Sequence, residues 1–342
     1  MKKELNRREF VRISAISVGV LALGGIGVKE IIKAGEAKEV SETRELLGTF
    51  ITIKLIDTET KHAKGAIEDA FSEIKRLSLI LSRHDPASEL AILNKTGAIA
   101  NASPELVGVV QKSLAFSDLT GGAFDVSVLP LLSLFTDSFA DGGEAPSEKS
   151  VDAALEKVGS RFIKLNDRTI SLAAPGMGLT LDGIAKGYVI DQAAALLKAR
   201  GLTQVLVEAG GDMALRGMRE DGEPWKIGVT HPRALAGYYE VLQTSNDCLA
   251  TSGDYENAFT PDYSWHHIID PRLGHSPREV ASATVIAPDT TYADALATAA
   301  VVLGVSESLA LFEKLPGVQA LLINKEMKSF STSGFYEATG SQ

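Results

Sequence analysis

Cysteine is nearly absent from this chain: Cys248 is the only one in 342 residues. No internal disulfide can form, and a lone thiol reads as a small buried hydrophobe rather than a nucleophile. Positive charge is in deficit, with 34 Lys and Arg against 44 Asp and Glu and a net charge of −10. An acidic chain without a basic cluster excludes non-specific nucleic-acid binding. A nucleotide partner would need local positive charge or a metal. There is no G-x-x-x-x-G-K-[ST] loop, no G-x-G-x-x-G after a strand and no G-x-S-x-G elbow. Those absences argue against a P-loop, a dinucleotide-binding βαβ unit and an α/β-hydrolase nucleophile. The six histidines and single cysteine form no cluster of metal-ligand type, which argues against zinc. No fixed-period repeat is present.

A long apolar run occurs near the start, from Ile13 to Val28, and glycines at 19, 24, 25 and 27 interrupt it. It is short for a membrane span and follows Arg7-Arg8 and Phe10. Residues 1–37 therefore read as a twin-arginine export signal, with Gly35-Glu36-Ala37 as a weak cleavage site; the alternative is an uncleaved anchor. The folded part is expected outside the cytoplasm, periplasmic or otherwise. No cysteine follows the signal, so lipid attachment there is not expected. Residues 38–342 carry 27 Lys and Arg against 40 Asp and Glu, a net −13.

The remainder has the composition of a globular domain with a sizeable core. Gly48–Asp57 reads as a strand and residues 60–81 as an amphipathic helix. Ser88 marks the start of a short helix, and Pro104 opens another to about 120. Asp137–Ser150 is the most loop-like stretch. Strands are expected at 161–165, 169–173 and 178–182, then a helix from Ile184 to Arg200. "TQVLVEAGG", "WKIGVT", "YYEVLQT", "HHIID" and "SATVIAP" supply further strands. Two alanine-rich helices near 291–303 and 306–315 precede a strand pair around 318–330. Strands outnumber helices and hairpin returns are common. The expected class is mixed α/β (α+β), largely antiparallel, with packed helices rather than a doubly wound sheet.

Several segments carry candidate chemistry. In "LTLDGIAKGYVIDQAAALLKARG", Gly183 and Gly187 admit close backbone approach, and Lys186 adds charge to a helix N-terminus. That combination suits an anion, usually phosphate, although many such units hold Gly and Lys for packing alone. Asp294 and Thr298 stand four apart on one helix face, with alanines at 293, 295, 297, 299 and 300. A carboxylate beside a hydroxyl suits a hard cation such as Mg²⁺. The plainer reading is an Asp that complements the helix dipole and a Thr bonded back to a carbonyl. "TGGAFDVSV" places Phe124 beside Asp125, to stack on a ring and accept from a ligand, or simply to sit in the core. Gly210-Gly211-Asp212 and Ser252-Gly253-Asp254-Tyr255 add polar turns. Finally, "WHHIIDP" pairs His266 with His267; on a strand these face opposite sides, and one can address a site.

In this order, "GIAKGYVIDQAAALL", "VEAGGDM", "TSGDYENAF", "HHIIDPRLG" and "DALATAAVVLG" resemble the ApbE family, the FAD:protein FMN transferases. The similarity runs from about Leu47 to about Gly304. It implies a T-fold-like structure and a single flavin transferase domain over 38–342. It implies FAD as substrate, cleaved at its pyrophosphate with Mg²⁺ help. FMN then passes to a Thr or Ser hydroxyl of an acceptor, and AMP leaves. The implied acceptors are flavoprotein subunits of membrane electron-transfer complexes, with no nucleic acid involved. The implied flavin contacts are Leu47, where the family usually has Met, His84, where a Tyr is common, Ala123, Phe124, Asp125, Lys186 and Ile268. The implied metal ligands are Asp294, Thr298 and the Gly183 carbonyl, and His267 stands at the family's histidine. The family pattern Asp-Leu-Gly/Ser-Gly is here Thr180-Leu181-Asp182-Gly183, the acid moved two places; Thr180 and Asp182 are carried over as cofactor contacts, and Asp182, two along a strand, serves the same ligand or touches the metal shell instead. The competing readings are an FAD pyrophosphatase and a non-catalytic exported FAD-binding protein.

Overall fold

The computed structural model describes residues 37–234 and 236–339. The export signal expected over residues 1–37 lies outside them, apart from Ala37. Thirteen strands are described: β1 (Lys38–Leu46), β2 (Thr49–Asp57), β3 (Ala98–Ile99), β4 (Ile163–Asn166), β5 (Thr169–Leu172), β6 (Val205–Ala209), β7 (Asp212–Arg216), β8 (Trp225–Thr230), β9 (Tyr238–Thr244), β10 (Cys248–Gly253), β11 (Val280–Ala287), β12 (Gln319–Asn324) and β13 (Ser329–Ser331). The helices are α1 (Thr60–Leu81), α2 (Glu89–Thr96), α3 (Pro104–Leu119), α4 (Leu129–Ser138), α5 (Glu148–Leu155), α6 (Ala185–Ala199), α7 (Thr290–Phe312) and α8 (Phe335–Thr339).

One sheet dominates, ordered β1-β2-β6-β7-β10-β11-β12-β13. Every neighbouring pair in it is antiparallel, as the strand count and short returns predict. One face carries α1, α3, α6 and α7 over the main core. The other face is closed by the β8–β9 hairpin and α8 around Trp225, Leu242 and Phe335. A third, smaller core joins α4 and α5 to Phe259 and Trp265.

The helices begin where their caps say they should. The Ser88 hydroxyl accepts from Ala91 N at 3.0 Å, and Gly97 at φ 75° ends α2. Ser103 caps α3 with Pro104 in its first turn. α7 is long and apolar enough to cross a membrane by length and composition, but most of it is buried in the core. Its alanines at 293, 295, 297, 299 and 300 are all fully buried. They leave no open space around Asp294; they let neighbouring backbone come close.

Several sequence expectations change. Residues 178–182 form no strand. Leu179 bonds at both N and O to the Asn94 side chain, at 2.7 and 2.8 Å, and Thr180 N bonds to Val126 O. Those partners replace a ladder. "HHIID" is likewise no strand; a single bridge pairs Ala258 with His266. The two alanine-rich helices are one element broken at Gly304, whose φ of 81° is non-helical. β1 was not anticipated, because most of it is polar and lies at the sheet edge. The loop-like stretch 137–150 is partly helical, and Ser147 caps α5.

Candidate active site

The site is built where α6 and α7 meet. Each helix caps the other. Asp191 on α6 receives the Thr290 and Thr291 N–H groups of α7, both at 2.8 Å. Asp294 on α7 receives Gly187 N of α6 at 3.0 Å. A carboxylate at a helix N-terminus meets free N–H groups and the positive end of the dipole. The first residue ahead of α6, Ile184, has no side-chain cap, so Asp294 takes that duty from across the interface. The contact requires glycine. A Cβ on Gly187 would stand 2.3 Å from Thr290 O.

Around this joint lie most of the predicted residues. A Cβ on Gly183 would meet Thr298 Oγ1 at 2.8 Å and Phe124 Cε2 at 3.4 Å, so these three residues adjoin. Ser252 Oγ lies 3.2 Å from Thr298 Oγ1. Lys186 Nζ stands 2.7 Å from Asp212 Oδ2 and 3.6 Å from Asp294 Oδ1. Two buried carboxylates thus share one ammonium. Burial alone would lower Lys186, but Asp212 and Asp294 outweigh it and raise it. Burial, then the Asp212 charge, pushes Asp294 up to about 7. Burial also raises Asp212. Its Oδ2 lies 2.7 Å from Lys186 Nζ, so the ammonium is the partner of that buried oxygen.

Asp294, Thr298 and the Gly183 carbonyl are therefore one carboxylate and two neutral oxygens on neighbouring residues, beside the Lys186–Asp212 pair. Hard oxygen donors in that number fit Mg²⁺ completed by water and phosphate oxygens. Among the described residues no three His, Cys, Asp or Glu side chains gather as a metal cluster, so a closed, all-protein cage is not what this site is.

His266 and His267 diverge as expected, though without a strand. His266 is fully buried, its Nε2 3.0 Å from Pro277 O. His267 keeps part of its surface open, while its ring lies deep and Nδ1 has no hydrogen-bond partner. Burial, then His266, pushes it down to about 4, and Asp182 and Lys186 are close enough to act on it. His267 thus faces the recess. Ile268 beside it is buried in the main core.

The remaining predicted residues are placed as follows. Asp182 is exposed and pairs with Arg83 Nε at 2.8 Å, drawing the loop with His84 to the rim. The Thr180 hydroxyl accepts from Asp182 N at 3.2 Å. Leu47, at φ 55°, shares a turn with Gly48 and Thr49, and Thr49 Oγ1 lies where a Cβ on Gly210 would stand. Ala123 and Phe124 are buried. The Asp125 carboxylate faces inward: it accepts from Ser127 N, Ser127 Oγ and Ser160 N at 2.9, 2.6 and 2.8 Å. It caps the 3-10 turn at 126–128. A cavity of about 560 Å³ lies beyond it, walled in part by Arg161, Pro271 and Arg272; the metal-type residues are not among its walls.

Sequence reasoning did not assign Asp212, Ser252, Arg83 or Glu256 to the site. Glu256 has an exposed edge yet lines a concave wall, where desolvation raises its carboxyl and Lys186 opposes the shift. Asp212 stood in a glycine-bounded turn, which was the available signal.

A profile of the ApbE family matches residues 47–322. The chain belongs to the ApbE family. It is 30% identical to the FAD:protein FMN transferase of Treponema pallidum, covering 94% of each chain. It is 29% identical to that of Vibrio cholerae, covering 87% of this chain and 92% of the other. The solved ApbE protein of Thermotoga maritima superposes with a TM-score of 0.80 at 28% identity, over 88% of this chain and 99% of that one. The flavinyl transferase ApbE of Pseudomonas stutzeri gives 0.79 at 27%, over 91% and 100%. These neighbours share the mixed, mainly antiparallel fold.

Proposed function

We propose that this ApbE-family chain is an enzyme that moves FMN from FAD onto a Ser or Thr hydroxyl of an acceptor protein, releases AMP, and requires Mg²⁺. The relatives named FAD:protein FMN transferase support flavin transfer. The observation that carries the local reading is the α6–α7 joint, with an acid–hydroxyl pair, a close glycine and two buried carboxylates around one lysine.

When bound beside Asp294, Thr298 and Gly183, Mg²⁺ supplies charge neutralisation to a pyrophosphate. Lys186 and the α6 N-terminus add a fixed positive field toward the same anion. The acceptor oxygen forms a bond to the FMN phosphorus, and the phosphorus–oxygen bond to AMP breaks. AMP leaves with the bridging oxygen and its electron pair. His267 takes the hydroxyl proton. Its low affinity for protons in the empty recess rises as a pyrophosphate brings negative charge nearby. Positioning and charge stabilisation carry most of the rate. The proposed acceptor class is electron-transfer subunits of membrane complexes, and the proposed location of the folded part is outside the cytoplasm, a reading supported by Arg7-Arg8 and Phe10 ahead of an uncharged run.

The test combines protein, FAD, Mg²⁺ and an acceptor bearing an exposed Thr or Ser segment. A flavin-fluorescent acceptor band is expected, abolished by EDTA. Free FMN would mean a pyrophosphatase, and unchanged FAD a carrier. His267→Ala should still bind FAD but transfer FMN about 10²-fold or more slowly. Wild-type rates in that variant would remove His267 from the reaction.

A further inference from the structure

Behind the His267 segment lies a second charged cluster. Asp254 directly follows β10 and is fully buried. Arg233, from the loop between β8 and β9, grips it with two parallel bonds of 2.8 and 2.7 Å. Lys325, from the turn between β12 and β13, stands 3.3 Å from Asp254 Oδ2. The same lysine donates to Tyr263 O at 2.7 Å, and its backbone N donates to Glu279 O at 2.9 Å. The Arg233 guanidinium also lies 4.0 Å from the Tyr263 ring centre, and Tyr263 sits at φ 59°. Two distant parts of the chain thus converge on the excursion from 254 to 279, the stretch that carries His267.

The fastening continues to the ring itself. His266 N donates to Ser276 Oγ and Ser276 Oγ donates to His266 O, at 3.0 and 2.8 Å. His267 N donates to Asn257 O at 3.0 Å, three residues past Asp254. His267 makes no side-chain hydrogen bond of its own at Nδ1. Its ring is therefore placed by the backbone around it, and that backbone hangs from Asp254.

We propose that Asp254, clamped by Arg233 and Lys325, is a positioning residue that sets the reach of His267 toward the acceptor hydroxyl. The proposal rests on the assignment of His267 as the proton acceptor. Arg fits this role because its planar fork matches a carboxylate at two points, which fixes direction as well as distance. A group that must meet a reacting oxygen loses rate steeply when displaced by even 1 Å.

The experiment is a double-mutant cycle in the full-length protein, with thermal melts confirming that each variant is folded. Asp254→Asn should lower kcat for FMN transfer about ten-fold. KM for FAD should stay within about two-fold, because Asp254 touches neither the Lys186 cluster nor Asp294. Asp254→Asn combined with His267→Ala should be no slower than His267→Ala alone. If the two losses multiply, Asp254 acts by some route other than His267 and the proposal fails, while the base assignment survives. If His267→Ala transfers at the wild-type rate, the base assignment itself fails. Lys325→Met, which leaves the Arg233 fork in place, carries the same cycle if Asp254→Asn does not fold. Its expected loss is about three-fold, again absent in the His267→Ala background.

Discussion

Two buried charge clusters sit on either side of the His267 segment, and they are built on opposite plans. Around Lys186, two buried carboxylates face one ammonium. Around Asp254, two cations face one carboxylate, and both oxygens are held. The first cluster has excess negative charge in a low-dielectric place, which is costly unless something else arrives. The second is complete as it stands. A site that must take a ligand is left electrostatically short, and a mount is not.

The largest expected contrast is in stability. Asp254→Asn removes the carboxylate that Arg233 and Lys325 share and should cost about 3–5 kcal/mol in denaturant unfolding. Asp294→Asn keeps an acceptor for Gly187 N and relieves repulsion with Asp212, so its unfolding free energy should stay within about 1 kcal/mol of wild type or rise. Transfer activity should nevertheless fall on the order of 10²-fold. Equal destabilisation by both substitutions would erase the distinction between a ligand site and a mount.

A smaller effect sharpens the mount from the side of pH. Burial pushes His266 down to about 4, with Asp254, Lys325, Arg233 and His267 as its charged or titratable neighbours. Its ordinary value is about 6.5. The unfolded chain therefore binds a proton that the folded chain refuses. That contribution is fully present above pH 6.5 and is lost as pH falls toward 4, at most about 3 kcal/mol. Unfolding midpoints measured from pH 7 to 4 should fall less steeply in His266→Gln. Identical slopes would mean the ring is not kept neutral by the fold.

The sequence carried the α6–α7 joint better than the Asp254 cluster. Lys186 was legible because a glycine turn and a helix start announce an anion site locally. Asp294 and Thr298 were legible because they share a helix face four residues apart. Asp254 was visible only as a polar turn, since Arg233 and Lys325 arrive from separate hairpins and nothing local points to them. Asp212 was missed in the same way: its meaning depends on Lys186 lying across an interface. Residues 178–182 and 266–270 had strand-like composition, but side chains and single bridges claimed their backbone groups. The antiparallel sheet was readable from short returns, whereas β1 has an edge strand's polarity and gave little apolar pattern.

The smallest expected effect concerns the rim. Arg83 and Asp182 form a largely exposed pair. Arg83→Ala should change unfolding free energy by under about 1 kcal/mol. A larger loss would show that the loop bearing His84 is part of the rigid frame.

The reciprocal capping of α6 and α7 has a mechanical meaning. Because each helix holds the other's first turn with a carboxylate, and glycine lets their backbones touch, the lysine and the acid–hydroxyl pair travel as one solid piece. A jaw that cannot flex leaves any adjustment to parts outside it, of which the rim loop at 82–88 is one.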